Sequence, residues 1–100
     1  MPFVDVASRR IEYTRIRAAS AGRPQLVFLH EGLGSVSMWR DFPARVAGAT
    51  NCGAIVYSRQ GYGRSAPLQA PRTVRYLHDE AQVALPALLD RLAIDRPILI

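Results

Sequence analysis

The sequence predicts an α/β fold with a mostly parallel sheet, an antiparallel hairpin at the N-terminus and flanking helices. Apolar and polar residues alternate near the N-terminus, which is the period of half-buried strands. Further along, short uninterrupted apolar runs are typical of parallel strands that are buried on both faces. Segments with helical spacing separate these runs. Strands that alternate with helices favour a parallel sheet with right-handed crossovers.

The first three strands follow one another without a helix. Residues 3–8 and 10–18 both alternate apolar and polar positions, and the polar pair Ser8-Arg9 between them suits a hairpin turn. Residues 25–30 then form a short, continuous apolar run. We therefore expect an antiparallel pair at one edge of the sheet, followed by a buried strand.

The middle of the chain predicts a helix, a strand and a loop. Apolar residues at helical spacing predict a helix over residues 37–49, in which Pro43 is tolerable only in the first turn. Residues 54–58 are a second buried strand, and the glycine- and proline-rich residues 59–71 are a loop.

A long helix is expected from Thr73, followed by a last strand over residues 97–100. Pro86 should kink this helix or split it into two, because proline lacks an N–H group and clashes with the preceding turn. The apolar face of the helix consists of Val74, Leu77, Ala81, Leu85, Leu88 and Leu92.

Composition indicates one small globular domain, and half of its residues are apolar (49%). The net charge is +5, but all thirteen basic residues are arginines and they are scattered, so no nucleic-acid-binding patch is expected. Cys52 is the only cysteine, which excludes an internal disulfide and favours a small buried side chain. Neither a signal peptide nor a membrane-spanning run is found, so we expect a cytoplasmic protein without membrane partners.

Two glycine turns follow the ends of buried strands, where ligands bind in open α/β sheets. They are Gly32-Leu33-Gly34 and Gly61-Tyr62-Gly63. The second matches G-x-G-x-x-A, but prolines follow it where a helix should receive a pyrophosphate, and a chain without lysine cannot carry a Walker P-loop. A small nucleotide- or flavin-binding module stays open as an alternative. Glycines at a strand end also suit an oxyanion hole, where backbone N–H groups face a developing negative charge.

Three motifs in order make the chain similar to the N-terminal part of an α/β-hydrolase, over residues 26–100. The family has His-Gly-x-x-Gly, serine and often tryptophan after a buried strand, then D-x-x-G-x-G-x-S, then a short strand opening with Arg-Pro. The matching residues are His30, Gly34, Ser35 and Trp39, then residues 58–65, then residues 96–100. The resemblance implies that the strand at residues 26–30 lies beside the one at residues 97–100. It also implies that residues 1–100 are a single partial domain that stops before the nucleophile elbow.

The resemblance assigns an oxyanion N–H to Gly32, with Leu33 as a second candidate; a plain tight turn is the alternative. Glu31 and Trp39 are candidates for the wall of the substrate pocket, and Trp39 could equally be core. Glu31 stands where the family has glycine. Because a carboxylate in an oxyanion hole would oppose catalysis, we expect it to point away or to pair with an arginine. Ser58 replaces the family's aspartate, which bears on loop architecture more than on chemistry.

The two histidines are not expected to act in catalysis. The family's catalytic histidine comes after the last strand, so we expect His30 to be a structural residue bonded to nearby backbone. His78 lies early in the long helix beside acidic residues, and without further ligands we expect a solvated helix face rather than a metal site. No metal and no cofactor are predicted.

The nucleophile elbow G-x-S-x-G does not occur in the 100 residues, and no residue of the catalytic triad is assigned. The predicted function is that of an N-terminal fragment of a serine-type hydrolase acting on an ester, amide or related bond of a small-molecule substrate. We expect the fragment to be inactive and prone to aggregation. A non-catalytic binding protein of the same fold is the alternative that Glu31 favours, and the oligomeric state stays open.

Overall fold

Five strands form one sheet in the computed structural model, which describes residues 2–32 and 34–100. The strands are β1 (Phe3–Val6), β2 (Arg9–Arg17), β3 (Gln25–Leu29), β4 (Gly53–Tyr57) and β5 (Pro97–Leu99). Their order across the sheet is β1-β2-β4-β3-β5. The pairs β1–β2 and β2–β4 are antiparallel, whereas β3 runs parallel to both β4 and β5. The predicted N-terminal hairpin, the parallel core and the pairing of β3 with β5 are confirmed.

The hairpin turns one residue earlier than the polarity of the sequence predicts. Ala7 and Ser8 form the turn, with φ of 52° and 66°, and Val6 pairs with Arg9 as the first residues beyond it. Two consecutive left-handed residues give the tight turn whose twist matches that of the strands. Alanine is unusual there, and its apolar character concealed the turn in the sequence.

The first helical region is broken where the sequence predicts one continuous helix. A single 3₁₀ turn (Val36–Trp39) precedes α1 (Phe42–Thr50), and Arg40, with φ of 54°, interrupts the helix between them. The predicted helix over residues 37–49 is therefore wrong in its first part. Pro43 lies in the first turn of α1, where its missing N–H group costs nothing.

The second helical region consists of α2 (Tyr76–Asp79), a π-helical turn (Glu80–Ala84) and α3 (Leu85–Arg91). It starts later than Thr73, and its N-terminal apolar residues are exposed, Leu77 by 65%. The Leu85 N–H donates to the Glu80 carbonyl, which is the wide i→i+5 bond of a π-helix. This wide turn precedes Pro86, so the chain stays helical without the bond that proline cannot make. No helix in the described part of the chain is long and apolar enough to cross a membrane.

The core lies on both faces of the sheet because side chains of a strand alternate between its faces. On the face of α3, Val27 and Ile55 pack against Leu85 and Leu88. On the face of α1, the neighbouring strand residues pack against Ala47. That second cluster is formed by Leu26, Phe28, Val36, Ala47, Cys52, Ala54 and Val56. Cys52 is buried and unpaired, as predicted.

Candidate functional site

A tight turn follows β3 at the carboxyl end of the strand. The Gly34 N–H donates to the Glu31 carbonyl at 3.0 Å, and His30 Nδ1 lies 2.8 Å from the same oxygen. A Cβ on Gly34 would lie 2.7 Å from Glu31 Oε1 and 3.1 Å from His30 Cβ, so a larger residue there would require the exposed Glu31 side chain to move. A Cβ on Gly32 would meet no atom within 4 Å. Gly32 thus lies on the open side of the turn, with room for another molecule beside it.

His30 is a structural residue, as predicted. It is 4% exposed, and its Nε2 accepts the Arg59 backbone N–H at 3.0 Å. Its Nδ1 therefore carries the proton and donates to the Glu31 carbonyl, which makes the ring the neutral tautomer. Burial lowers the pKa of His30, and the positive charge of Arg59 adds to this effect. The ring fastens the end of β3 to the end of β4.

Glu31 and Trp39, the predicted residues of the pocket wall, lie in different environments. Glu31 is exposed, and no arginine or histidine nitrogen among the described residues lies within 4 Å of its carboxylate, so the expected ion pair is not found. Trp39 packs edge-on against Phe28, with 5.2 Å between ring centroids, and belongs to the core on the face of α1. Its buried Nε1 has no hydrogen-bond acceptor among the described residues. Leu33, the second oxyanion candidate, lies outside the described residues.

The second glycine turn is tied to the sheet by a buried polar network around Ser58. The Ser58 hydroxyl donates to the Glu12 carboxylate at 2.7 Å and accepts the Val36 N–H at 2.9 Å. The Ser65 hydroxyl accepts the Glu12 N–H and donates to the Ser58 carbonyl. A Cβ on Gly63 would lie 2.2 Å from the Glu12 carboxylate, which is why glycine is needed there. Sequence reasoning treated Ser58 as a loss and missed Glu12, a buried acid in an alternating strand.

Two backbone N–H groups of the second glycine turn are used in hydrogen bonds within the loop. The Gly61 N–H donates to the Ala66 carbonyl, and the Tyr62 N–H donates to the Arg59 carbonyl. The chain beyond Ala66 continues without a helix until Tyr76. A pyrophosphate needs free N–H groups and a helix N-terminus, so nothing in this turn favours a nucleotide site.

Beside this turn lies a group of side chains that sequence reasoning did not single out: Arg59, Tyr62, Arg72 and Tyr76, which we call the arginine–tyrosine cluster. The Arg59 guanidinium carbon lies 5.2 Å from the Tyr62 ring centroid, and that of Arg72 lies 5.0 Å from it. The Arg72 guanidinium also lies 4.5 Å from the Tyr76 centroid. The Tyr62 ring contacts His30, at 4.7 Å between centroids. The signal in the sequence is an arginine three or four residues before each tyrosine, Arg59 before Tyr62 and Arg72 before Tyr76.

Glu80 is an acid close to the arginine–tyrosine cluster, and a tyrosine side chain holds it in place. The Glu80 carboxylate accepts the Tyr57 hydroxyl at 2.9 Å. Burial raises the pKa of Glu80, while the Tyr57 hydroxyl and the two arginines of the cluster oppose that rise. Burial and the nearby Glu80 also raise the pKa of Tyr57. Tyr57 therefore stays a neutral donor to Glu80.

A cavity of about 540 Å³ opens between the β1–β2 hairpin, the loop after Ser58 and the second helical region. Its walls are mainly apolar, with Arg9, Arg72, Asp79 and Glu80 as charged members. Neither Glu31 nor Trp39 lines it. The apolar and aromatic lining residues include Val6, Ile11, Tyr57, Leu68, Tyr76 and Leu88.

The fold matches solved structures of α/β hydrolases. An enol-lactonase from Burkholderia xenovorans LB400 superposes with a TM-score of 0.77 at 20% sequence identity, covering 98% of this chain and 35% of that one. An α/β hydrolase fold protein from Burkholderia ambifaria gives 0.72 at 25% identity, with 98% and 33% covered. The haloalkane dehalogenase from Agrobacterium tumefaciens C58 gives 0.74 at 22% identity, with 98% and 31% covered.

No protein-family model and no curated protein sequence matches the chain. The structural matches extend over nearly the whole chain, but the chain spans only about a third of the length of the first two hydrolases. The strand order, the turn after β3 and the glycine turn after β4 all lie within the shared part. The chain therefore has the fold of the N-terminal part of an α/β hydrolase.

Proposed function

We propose that this chain is the N-terminal part of a serine hydrolase that cleaves an ester, amide or related bond of a small molecule. In this proposal the turn after β3 supplies one donor of the oxyanion hole, the N–H of Gly32. The nucleophilic serine, the acid and the histidine of the triad belong to sequence beyond Ile100.

The observation that carries the proposal is the position of Ile100 beside the end of β3. The Leu29 N–H donates to the Ile100 carbonyl at 2.7 Å, and the Ile100 N–H donates to the Val27 carbonyl at 2.9 Å. A residue following Ile100 would therefore begin next to His30 and the turn that contains Gly32. A serine elbow at that point would lie at the same edge of the sheet as the open side of Gly32.

The chemistry that this arrangement supports is acyl transfer through a serine. The serine oxygen would attack the substrate carbonyl carbon while a histidine takes its proton, and the carbonyl oxygen would become an oxyanion. An N–H group placed at that oxygen stabilises the charge where it develops, which is worth about 10²–10³-fold in rate per donor. Collapse of the intermediate expels the alcohol or amine, and water then releases the acid.

A binding protein of the same fold is the second candidate, and Glu31 is the observation that favours it. Its carboxylate is exposed and lies close to the Gly34 backbone, since a Cβ on Gly34 would be 2.7 Å from Glu31 Oε1. A negative charge beside the turn would oppose an oxyanion there. The two candidates differ in whether a nucleophile follows β5.

The first experiment is to read the coding sequence beyond codon 100 and to assay the encoded protein with short-chain p-nitrophenyl esters. A G-x-S-x-G motif directly after β5, together with ester hydrolysis that is lost on changing its serine to alanine, supports the hydrolase. A following sequence without that serine, and a protein without esterase activity, would overturn the proposal and leave binding.

The role of Gly32 has a matched pair of variants. Gly32→Pro removes the N–H and should lower kcat by about 10²–10³-fold, whereas Gly32→Ala keeps the N–H and should have a small effect. The alanine is tolerated because its Cβ would meet no atom within 4 Å. Equal losses in the two variants would assign the effect to the shape of the turn and not to the donor.

A further inference from the structure

The two guanidinium groups of the arginine–tyrosine cluster form no direct ion pair with any described residue. No carboxylate oxygen of the described residues lies within 4 Å of the Arg59 or Arg72 guanidinium, since the only ion pair between described side chains joins Arg45 to Asp41. Glu80 is the acid that both arginines influence, and it is held by the Tyr57 hydroxyl. Neither guanidinium is therefore neutralised by a direct ion pair, although Asp79 and Glu80 line the same cavity as Arg72.

The two guanidinium groups also keep unused hydrogen-bond donors. Arg59 donates from Nε to the Tyr76 hydroxyl at 2.8 Å and from Nη1 to the His30 carbonyl at 2.7 Å. Arg72 donates from Nη2 to the Gln60 carbonyl at 3.3 Å, which is a long bond. A guanidinium has more N–H groups than these acceptors use. The tyrosine rings lie against the guanidinium groups and restrict their motion, which favours a fixed fork of donors.

The cluster lies at the edge of the sheet where ligands bind in this class of fold. Arg59 follows β4 closely, and its side chain bonds to the carbonyl of His30, which directly follows β3. The carboxyl ends of neighbouring parallel strands are the usual place for a ligand in an open α/β sheet. Arg72 is exposed and lines the cavity together with Tyr76, whereas Arg59 is half-buried, so the cluster is accessible from the side of Arg72.

We infer that Arg59 and Arg72 bind the oxyanion group, a carboxylate or a phosphate, of a small acidic ligand. Guanidinium groups suit both oxyanions because their remaining N–H groups can donate charge-assisted hydrogen bonds to either one. Taken together with the function proposed above, on which this step alone rests, the acidic group would be a substituent of the substrate away from the bond that is cleaved. The enzyme would then prefer acidic esters or amides to neutral ones.

The binding step is tested without any catalysis. The protein is titrated with sodium phosphate and, separately, with sodium acetate at constant ionic strength, while the arginine side-chain N–H signals are followed by ¹H–¹⁵N NMR. We expect saturable shifts of the Arg59 and Arg72 signals with at least one of the two anions, and the comparison shows which oxyanion is preferred.

Arg72→Gln should weaken that binding by about tenfold, because one charged hydrogen-bonding group is lost from an exposed position. Arg72→Lys keeps the charge without the planar fork and should recover only part of the affinity. The control is Arg64→Gln, which removes an exposed arginine of the same loop outside the cluster. Absence of saturable binding, or equal weakening by Arg64→Gln and Arg72→Gln, would overturn the inference.

A second measurement separates this inference from the proposed hydrolase. In the longer protein, matched acidic and neutral p-nitrophenyl esters are compared for kcat/KM in the wild type and in Arg72→Gln. A protein that hydrolyses neutral esters but shows no anion binding would support the proposed function and contradict the proposed anion site. A protein that binds the anion through Arg72 but hydrolyses no ester would support the anion site and contradict the proposed function.

Discussion

The Ser58 hydroxyl donates to the buried carboxylate of Glu12 across 2.7 Å, and this bond joins β2 to the loop that follows β4. The same hydroxyl accepts the N–H of Val36, which follows the turn after β3. One small side chain therefore connects both glycine turns with β2. In the resembled family an aspartate stands at this position, and here the carboxylate reaches it from a neighbouring strand.

Ser58→Ala should destabilise the protein by about 2 kcal/mol, because it removes a donor to a buried acid and an acceptor for a buried N–H at once. Ser58→Asp should also be destabilising, since it places a second carboxyl group beside Glu12. The double variant Glu12→Gln/Ser58→Asp should recover stability, because the new amide can donate to the new acid. Urea unfolding of the wild type, Glu12→Gln, Ser58→Asp and the double variant measures the coupling. Additive effects would contradict a direct interaction between positions 12 and 58.

Gly63→Ala should be among the most damaging alanine substitutions in the chain. The residue has φ of 52°, and a Cβ there would lie 2.2 Å from the Glu12 carboxylate and 2.7 Å from Ser58 Oγ. The matched control is Gly48→Ala, in an exposed position of α1 where a Cβ meets no atom within 4 Å. That change should stabilise the protein by about 1 kcal/mol through helix propensity. Opposite signs in thermal unfolding are expected, and equal effects would contradict the packing around Gly63.

The hairpin turn offers a gain in stability. Ser8 has φ of 66°, a conformation that costs a non-glycine residue roughly 1 kcal/mol. Ser8→Gly should therefore raise the free energy of unfolding by up to about that amount. Ser37→Gly, in the 3₁₀ turn with an ordinary φ, should have no such benefit. A loss of stability in Ser8→Gly would show that the turn in solution differs from the one described.

His30 should make stability depend on pH in a defined direction. Its pKa in the folded protein is lowered from the ordinary 6.5, so the unfolded chain binds the proton more readily. The contribution of the neutral ring is complete above about pH 6.5 and is lost as the pH falls toward the folded-state pKa. His30→Gln cannot titrate and should flatten this part of the curve. The check is the unfolding free energy between pH 5 and pH 7.5, where parallel curves would contradict the assignment.

Glu80 should act with the opposite sign. Burial raises its pKa above 4.5, so the folded protein holds the proton more strongly than the unfolded chain does. Stability from this group is present below pH 4.5 and is lost as the pH rises through the folded-state pKa. Glu80→Gln keeps an acceptor for the Tyr57 hydroxyl and removes the charge. The variant should gain stability relative to the wild type near pH 7, as measured by urea unfolding, and a loss there would contradict the prediction.

Much of the fold could be predicted because its strands carry strong local patterns. Val27, Ile55 and their neighbours form continuous apolar runs, which are typical of strands that are buried on both faces of a parallel sheet. The exact ends of the elements could not be predicted. Leu77 has the right spacing for a buried helix face but is 65% exposed, because spacing does not show whether another element covers that face.

The candidate site was predictable only at its glycine turns. Gly63 marks a place where a side chain would collide with the buried Glu12, Gly34 marks one where Glu31 would have to move, and glycine at a strand end is a visible signal. The roles of Glu12 and Arg72 depend on partners that are distant in the sequence. Glu12 is 46 positions from Ser58, so only the folded sheet brings the two together. Long-range pairs of this kind leave no local pattern.

The π-helical turn at Glu80–Ala84 determines the angular phase between the two ends of the second helical region. Deleting one residue from it would give a regular α-helix, but it would also rotate α2 by about 100° relative to α3. Leu85 and Leu88 would hold α3 in the core, so the rotation would fall on Tyr76 and carry it away from Arg59. The extra residue in the π-helical turn thus keeps Tyr76 oriented toward Arg59 while α3 stays packed in the core.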